Sequence, residues 1–83
     1  MEKLIDVLQL PKDLMLGALN VRLIGGYEAY IENYKSIIEY NDKVICLQGK
    51  NSIVTIKGEQ LRIECYSKED MKIKGCLQEV IFN

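Results

Sequence analysis

The sequence predicts a mainly β domain: a small antiparallel meander, roll or sandwich-like sheet with a short helix at its amino end. Three observations lead there. First, Leu61, Ile63 and Cys65 alternate with Arg62, Glu64 and Tyr66, and Met71 and Ile73 alternate with Lys72 and Lys74. Successive strand side chains point to opposite faces, so this is the pattern of half-buried strands. Second, short apolar runs are separated by turn signals at regular spacing, as in a meander, roll or small sandwich. Third, Ile56-Lys57-Gly58 recurs as Ile73-Lys74-Gly75 seventeen residues on, and Leu23-Ile24-Gly25 lies near twice that step before Gly58. Stacked hairpins and solenoid-like rungs both produce such a period. The connections are too short for parallel crossovers, which favours antiparallel pairing.

The amino-terminal segment, residues 1–16, is the one helical and apolar stretch. Leu4, Ile5 and Leu8 share one side of a helix over residues 2–9, with Lys3, Asp6 and Gln9 on the wet side. Leu10 precedes Pro11, and a residue before proline avoids the α region, so the helix ends there. Pro11 suits the first position of a second helical turn, and Leu14, Met15 and Leu16 make an apolar patch before Gly17. So short a helix is unstable alone in water and needs the sheet or a partner to dock on.

Residues 20–83 form the β region. Strands are expected over 21–24, 27–32, 36–40, 43–48, 53–58, 61–66, 71–75 and 76–82. Gly25-Gly26 marks a turn or bulge. Asn33-Tyr34-Lys35 is a polar interruption, Asn41-Asp42 a short loop without the usual hairpin glycine, and Gly49-Lys50-Asn51 and Ser67-Lys68-Glu69-Asp70 are turns.

Eighty-three residues make one domain. So small a domain is marginal unless oligomerisation, a metal or disulfides help it. Eleven basic residues nearly balance twelve acidic ones, and no basic stripe appears, which argues against nucleic acid. No apolar run approaches the roughly 20 residues of a membrane span. Met1-Glu2-Lys3 does not open a signal peptide, so the chain reads as intracellular. Cys46, Cys65 and Cys76 are widely spaced and there is no histidine, which excludes the familiar zinc spacings. The cysteines read as small buried strand residues; a Cys–His mechanism lacks its base.

Other constellations are weak. Glu32, Glu39 and Asp42 would be paired carboxylates if a hairpin joined them, but such residues ordinarily form a solvated strand face. Gly25-Gly26 precedes a strand, not a helix N-terminus, so it is no phosphate loop. Five tyrosines with one phenylalanine and no tryptophan leave some tyrosines partly exposed, where they suit protein interfaces. No catalytic residue, cofactor site or metal site emerges.

The chain resembles the YabP/YqfC family of sporulation proteins, on its YqfC branch, over nearly its whole length. The resemblance rests on Leu10-Pro11-Lys12-Asp13, Leu23-Ile24-Gly25 and the run Tyr30-Ile31-Glu32-Asn33-Tyr34-Lys35-Ser36-Ile37-Ile38-Glu39-Tyr40. The two Ile-Lys-Gly pieces and Ile81-Phe82 complete it. Family members often carry His and Gly near positions 34 and 36, where this chain has Tyr34 and Ser36. The resemblance implies a non-enzymatic protein of endospore-forming Firmicutes, made in the mother cell, with a membrane-embedded partner of the YqfD type. On that reading the protein is cytoplasmic, or peripheral at the forespore membrane.

Two functions are therefore expected. One is an interaction and assembly module working through sheet edges, with that partner or as a homo-oligomer. Its candidate residues are Glu32, Asn33, Tyr34 and Lys35 at an exposed turn, flanked by Tyr30 and Tyr40, with residues 78–82 as a further edge. The alternative is a small-ligand or carbohydrate-binding domain of the developing spore envelope. Ile56, Ile63 and Ile73 are expected in the core.

Overall fold

The computed structural model describes residues 17–83. The amino-terminal helix and the apolar patch expected before Gly17 lie outside the described residues. Six strands form: β1 (Asn20–Ile24), β2 (Glu28–Glu32), β3 (Ser36–Tyr40), β4 (Val44–Gln48), β5 (Ile53–Tyr66) and β6 (Asp70–Phe82). They make one sheet in the order β1-β2-β6-β5-β4-β3, with every pairing antiparallel. The mainly β, antiparallel expectation holds, and the solenoid alternative is excluded.

The expected breaks at Gly58 and Gly75 are corrected. Residues 53–66 are one bent strand and residues 70–82 another. Each long strand changes neighbours at its bend. Residues 53–57 of β5 lie between β4 and residues 79–82 of β6. Residues 70–74 of β6 lie between β2 and the end of β5. The sheet is thus two four-stranded leaflets that share both long strands. Leaflet one is β3, β4, the first half of β5 and the second half of β6. Leaflet two is β1, β2, the first half of β6 and the second half of β5.

The two corners are built alike. The Gly58 N–H donates to the Lys43 carbonyl (3.0 Å) and the Leu61 N–H to Asp42 (2.8 Å). Correspondingly, the Gly75 N–H donates to Tyr27 (3.1 Å) and the Leu77 N–H to Gly26 (2.9 Å). A Cβ on Gly58 would run into the Cys76 carbonyl oxygen. Gly75 has φ +145°, and a Cβ there would meet the Gln60 carbonyl oxygen at 2.7 Å. Gln60 itself has φ 54°. The extra residues between Glu59 and Arg62 form the bulge that turns the chain. The repeated Ile-Lys-Gly is therefore the trace of an approximate two-fold relation, with an isoleucine in the core and a glycine at the corner. Leu23-Ile24-Gly25 is not a third copy, because it ends β1 at a turn with Gly25 at φ 57°.

One hydrophobic cluster joins the leaflets, and its burial follows strand position. Ile45, Leu47, Val54 and Ile56 come from the central strands of leaflet one, and Ala29, Ile31, Met71 and Ile73 from those of leaflet two. Leu61 and Tyr34 complete it. Side chains on central strands are covered by neighbours on both sides and by the facing leaflet. Ile63 faces the same side as Ile73, its cross-strand partner, yet it is only partly buried, because that half of β5 is the rim of its leaflet. The expected full burial holds for Ile56 and Ile73 and is corrected for Ile63. The cysteines are also corrected: Cys65 and Cys76 are exposed and Cys46 is half-buried. Cys46 lies opposite Thr55 on the outer face, and its Sγ accepts a hydrogen bond from the Thr55 hydroxyl at 3.5 Å.

The Asn41-Asp42 loop closes without glycine because Asn41 supplies the turn. Its Oδ1 accepts from the backbone N–H groups of Lys43 and Val44, both at 2.8 Å.

Candidate functional site

The segment linking β2 to β3 crosses from one leaflet to the other. Asn33 makes the crossing in the left-handed region, φ 64°, which asparagine tolerates better than most residues. Its side-chain amide donates to the Ala18 carbonyl at 2.9 Å. Tyr34 then turns inward. It is 6% exposed, and its hydroxyl donates to the Ser67 carbonyl at 2.8 Å. Its own N–H donates to Glu69, and the Lys35 N–H to Gln48 at 2.7 Å. The expectation of an exposed turn holds for Glu32 and Lys35, which are exposed, and is corrected for Asn33, which is half-buried, and for Tyr34, a core residue that pins the crossing to the β5–β6 turn.

Tyr30 lies on the outer face of leaflet two. Arg22 sits over its ring at 5.0 Å from the centroid and Lys72 at 5.4 Å, so two cations share one π-face system. Beside it, Lys72 and Lys74 each approach both Glu28 and Glu64. The shortest approach is Lys72 Nζ to Glu64 Oε1 at 3.3 Å, and Lys74 lies 3.5 Å from either carboxylate. Hydrogen bonding to Lys72 is the largest influence on Glu64 and draws its pKa below the usual 4.5. Lys72 is raised above 10.5, first by Tyr30 and then by Glu64. This lattice of charge lies across cross-strand neighbours, where opposite charges support the pairing.

Where β2 meets the β5–β6 turn, an open cleft of about 400 Å³ is lined by Tyr30, Glu32, Cys65, Tyr66, Met71 and Lys72, among others. Tyr66 is 72% exposed on its wall. Of the residues expected to form an interaction site, Tyr30 and Glu32 meet here. Tyr34 does not line this cleft, and Tyr40 lies on leaflet one, where its hydroxyl accepts the Ile63 N–H at 3.0 Å. Sequence reasoning passed over Tyr66 and Lys72 as cleft residues. Alternation had placed both outward, but only the β2–β6 pairing sets them beside Tyr30. Glu32 and Glu39 fall on β2 and β3, which are not neighbours, so the register does not assemble the carboxylate group considered from sequence. Among the described residues no group of three or more His, Cys, Asp or Glu side chains is placed to hold a metal ion.

A further set of exposed apolar side chains lies at the strand edges. All five residues of β3 are exposed, including Ile37, Ile38 and Tyr40. Leu23 and Ile24 on β1 and Phe82 at the end of β6 are exposed as well.

Geometrically the molecule belongs to the class of small all-antiparallel β modules whose bent strands serve two leaflets, with open apolar edges and one charged outer face. The family model described as the YabP family matches residues 16–83, and the chain belongs to that family. It is similar to the uncharacterized protein YqfC of Bacillus subtilis (strain 168), at 23% identity over 73 residues, which cover 88% of this chain and 78% of that protein. No solved structure matches.

Proposed function

We propose that this protein is a non-enzymatic interaction and assembly module that acts in the mother cell during spore formation, alongside a membrane-embedded partner of the YqfD type. Family membership supports the link to sporulation. The observation that carries the association reading is β3, a strand at the end of the sheet order with all five residues exposed and three large apolar side chains among them. A sheet edge with unpaired N–H and C=O groups is a template for a further strand. No helix among the described residues is long and apolar enough to cross a membrane, so contact with a membrane protein is made on this reading through the strands or through the apolar segment before Gly17. The test is co-purification of the tagged protein from sporulating cells, with Ile38→Lys on the edge. Loss of the membrane partner with an unchanged melting temperature supports the reading. Capture at the unsubstituted level by a chain carrying both Ile38→Lys and Lys35→Glu refutes it.

A second reading rests on the cleft beside Tyr30. An exposed tyrosine with flanking carboxylates suits a sugar, whose apolar face stacks while its hydroxyls donate. Titration with peptidoglycan fragments tests it, and binding that survives Tyr66→Ala would place the ligand elsewhere.

A further inference from the structure

Two strands of equal length end the sheet: β1 at one side and β3 at the other, five residues each. No described strand pairs with either on its outer side. Neither strand contains proline or lysine, two residues that often guard an edge, and β3 carries one bulge, between Ile37 and Glu39. Each carries a single charge, and the two are opposite: Arg22 on β1 and Glu39 on β3. Among the described residues Arg22 makes no ion pair and stacks on Tyr30, while Glu39 is met by the Asn41 side-chain amide at 3.4 Å.

We infer that β1 of one copy pairs antiparallel with β3 of a second copy, with Arg22 opposite Glu39. This deepens the association reading above and rests on it. The faces agree in that register. Glu39 lies opposite Cys46 on the outer face of leaflet one, and Arg22 opposite Tyr30 on the outer face of leaflet two. The next pair is Val21 with Tyr40, and both face the core side, since Val21 is opposite buried Ile31 and Tyr40 opposite buried Ile45. On the other side Leu23 meets Ile38, the extra residue of the β3 bulge, burying two side chains that are 50% and 53% exposed in the single chain.

The self-pairings are less favourable. An antiparallel β1–β1 pair centred on its middle residue sets Arg22 directly against Arg22, and like charges directly opposite are destabilising. A β3–β3 pair centred on Ile38 places the two Glu39 carboxylates as diagonal neighbours and pairs neither with a cation. The remaining open edges are less suited to that pairing. The second half of β5 is broken by bulges on both sides of Arg62 and Ile63, and the Tyr40 hydroxyl already occupies the Ile63 N–H. The second half of β6 is interrupted once, opposite Lys57 and Gly58, and its one charge, Glu79, already lies opposite Lys57 in the ladder. The β1–β3 contact uses different surfaces on the two copies, so it is heterologous, and each copy added leaves one free β1 and one free β3. Such contacts make rings or open filaments. Five-residue edges bury little area, so the association is weak and concentration-dependent.

The test is sedimentation of the full chain over a concentration series at low and high salt. The expected mass rises beyond a dimer with concentration and falls back with salt. Glu39→Arg weakens association about tenfold, in the range of a lost charge pair, as does Arg22→Glu. The doubly exchanged chain, Arg22→Glu with Glu39→Arg, recovers it. That recovery also shows that the single exchanges did not act by unfolding, and circular dichroism of Glu39→Arg checks the same point at an exposed position. A mass that stays at monomer, a plateau at dimer, or failure of the double exchange to recover overturns the pairing. A chain that is always monomeric but still captures a membrane partner overturns this inference alone and leaves the association reading standing.

Discussion

Tyr34 shows how one residue's surroundings change its meaning. Its neighbours in sequence are polar, yet its ring fills the core and its hydroxyl holds the Ser67 carbonyl. Tyr34→Ala is expected to cost about 3–5 kcal/mol, the range for truncating a buried aromatic. Tyr34→Phe removes only the hydrogen bond and costs about 0.5–1.5 kcal/mol. Urea denaturation of the two variants checks the contrast, and equal midpoints would mean that the ring is not packed. The charges around Tyr30 set a pH window. Glu64 has its pKa drawn below 4.5, so its contribution is present above that value and is lost as pH falls through the lower folded value. Lys72 is raised above 10.5, so its contribution is present below that value and is lost as pH rises through the higher folded value. Stability is expected to have an acid limb that Glu64→Gln flattens and an alkaline limb that Lys72→Met flattens. Thermal melts across pH measure both, and salt is expected to shallow both limbs because these side chains are partly exposed.

At the scale of elements, the corners decide the architecture. Gly58 and Gly75 were legible as glycines that end an apolar run, and a glycine within a strand pattern is an ambiguous sign of a turn or a bulge. The ambiguity resolves through hydrogen bonds to distant residues, from the Gly58 N–H to the Lys43 carbonyl and from the Gly75 N–H to the Tyr27 carbonyl, which no local pattern contains. Gly75→Ala is expected to destabilise by about 2–4 kcal/mol, from a positive φ together with a close approach to the Gln60 carbonyl. Gly26→Ala meets no atom within 4 Å and bears only the strain of φ +74°, so it is expected to cost less. A Gly75→Ala chain that melts with the Gly26→Ala chain would show that the corner tolerates a side chain.

At the scale of the molecule, leaflet position ranks the core. Ile56 is fully buried on a central strand, while Ile63 packs at a rim. Ile56→Ala is expected to cost about 2–5 kcal/mol and Ile63→Ala distinctly less. Equal losses of urea midpoint would contradict the two-leaflet arrangement. A domain of this size has only a small margin of stability, so the Ile56 variant is expected to be largely unfolded at physiological temperature.

The sequence by itself determined that this chain is β, from a period-two pattern that is local and that each strand's pleat enforces, and that its pairing is antiparallel, from connections too short for a parallel crossover. It also determined where most turns fall, since Ser67 to Asp70 and Gly49 to Asn51 carry their turn chemistry within a few residues. The tertiary structure alone decided that β6 inserts between β2 and β5, that two long strands serve both leaflets, and that Tyr34 is inside while Tyr66 and Cys65 are outside. Those outcomes depend on contacts between segments that are not adjacent in sequence, such as Ala29 with Ile73 and Tyr34 with Ser67. An alternating pattern states that a face must be covered, but it does not contain the identity of the strand that covers it.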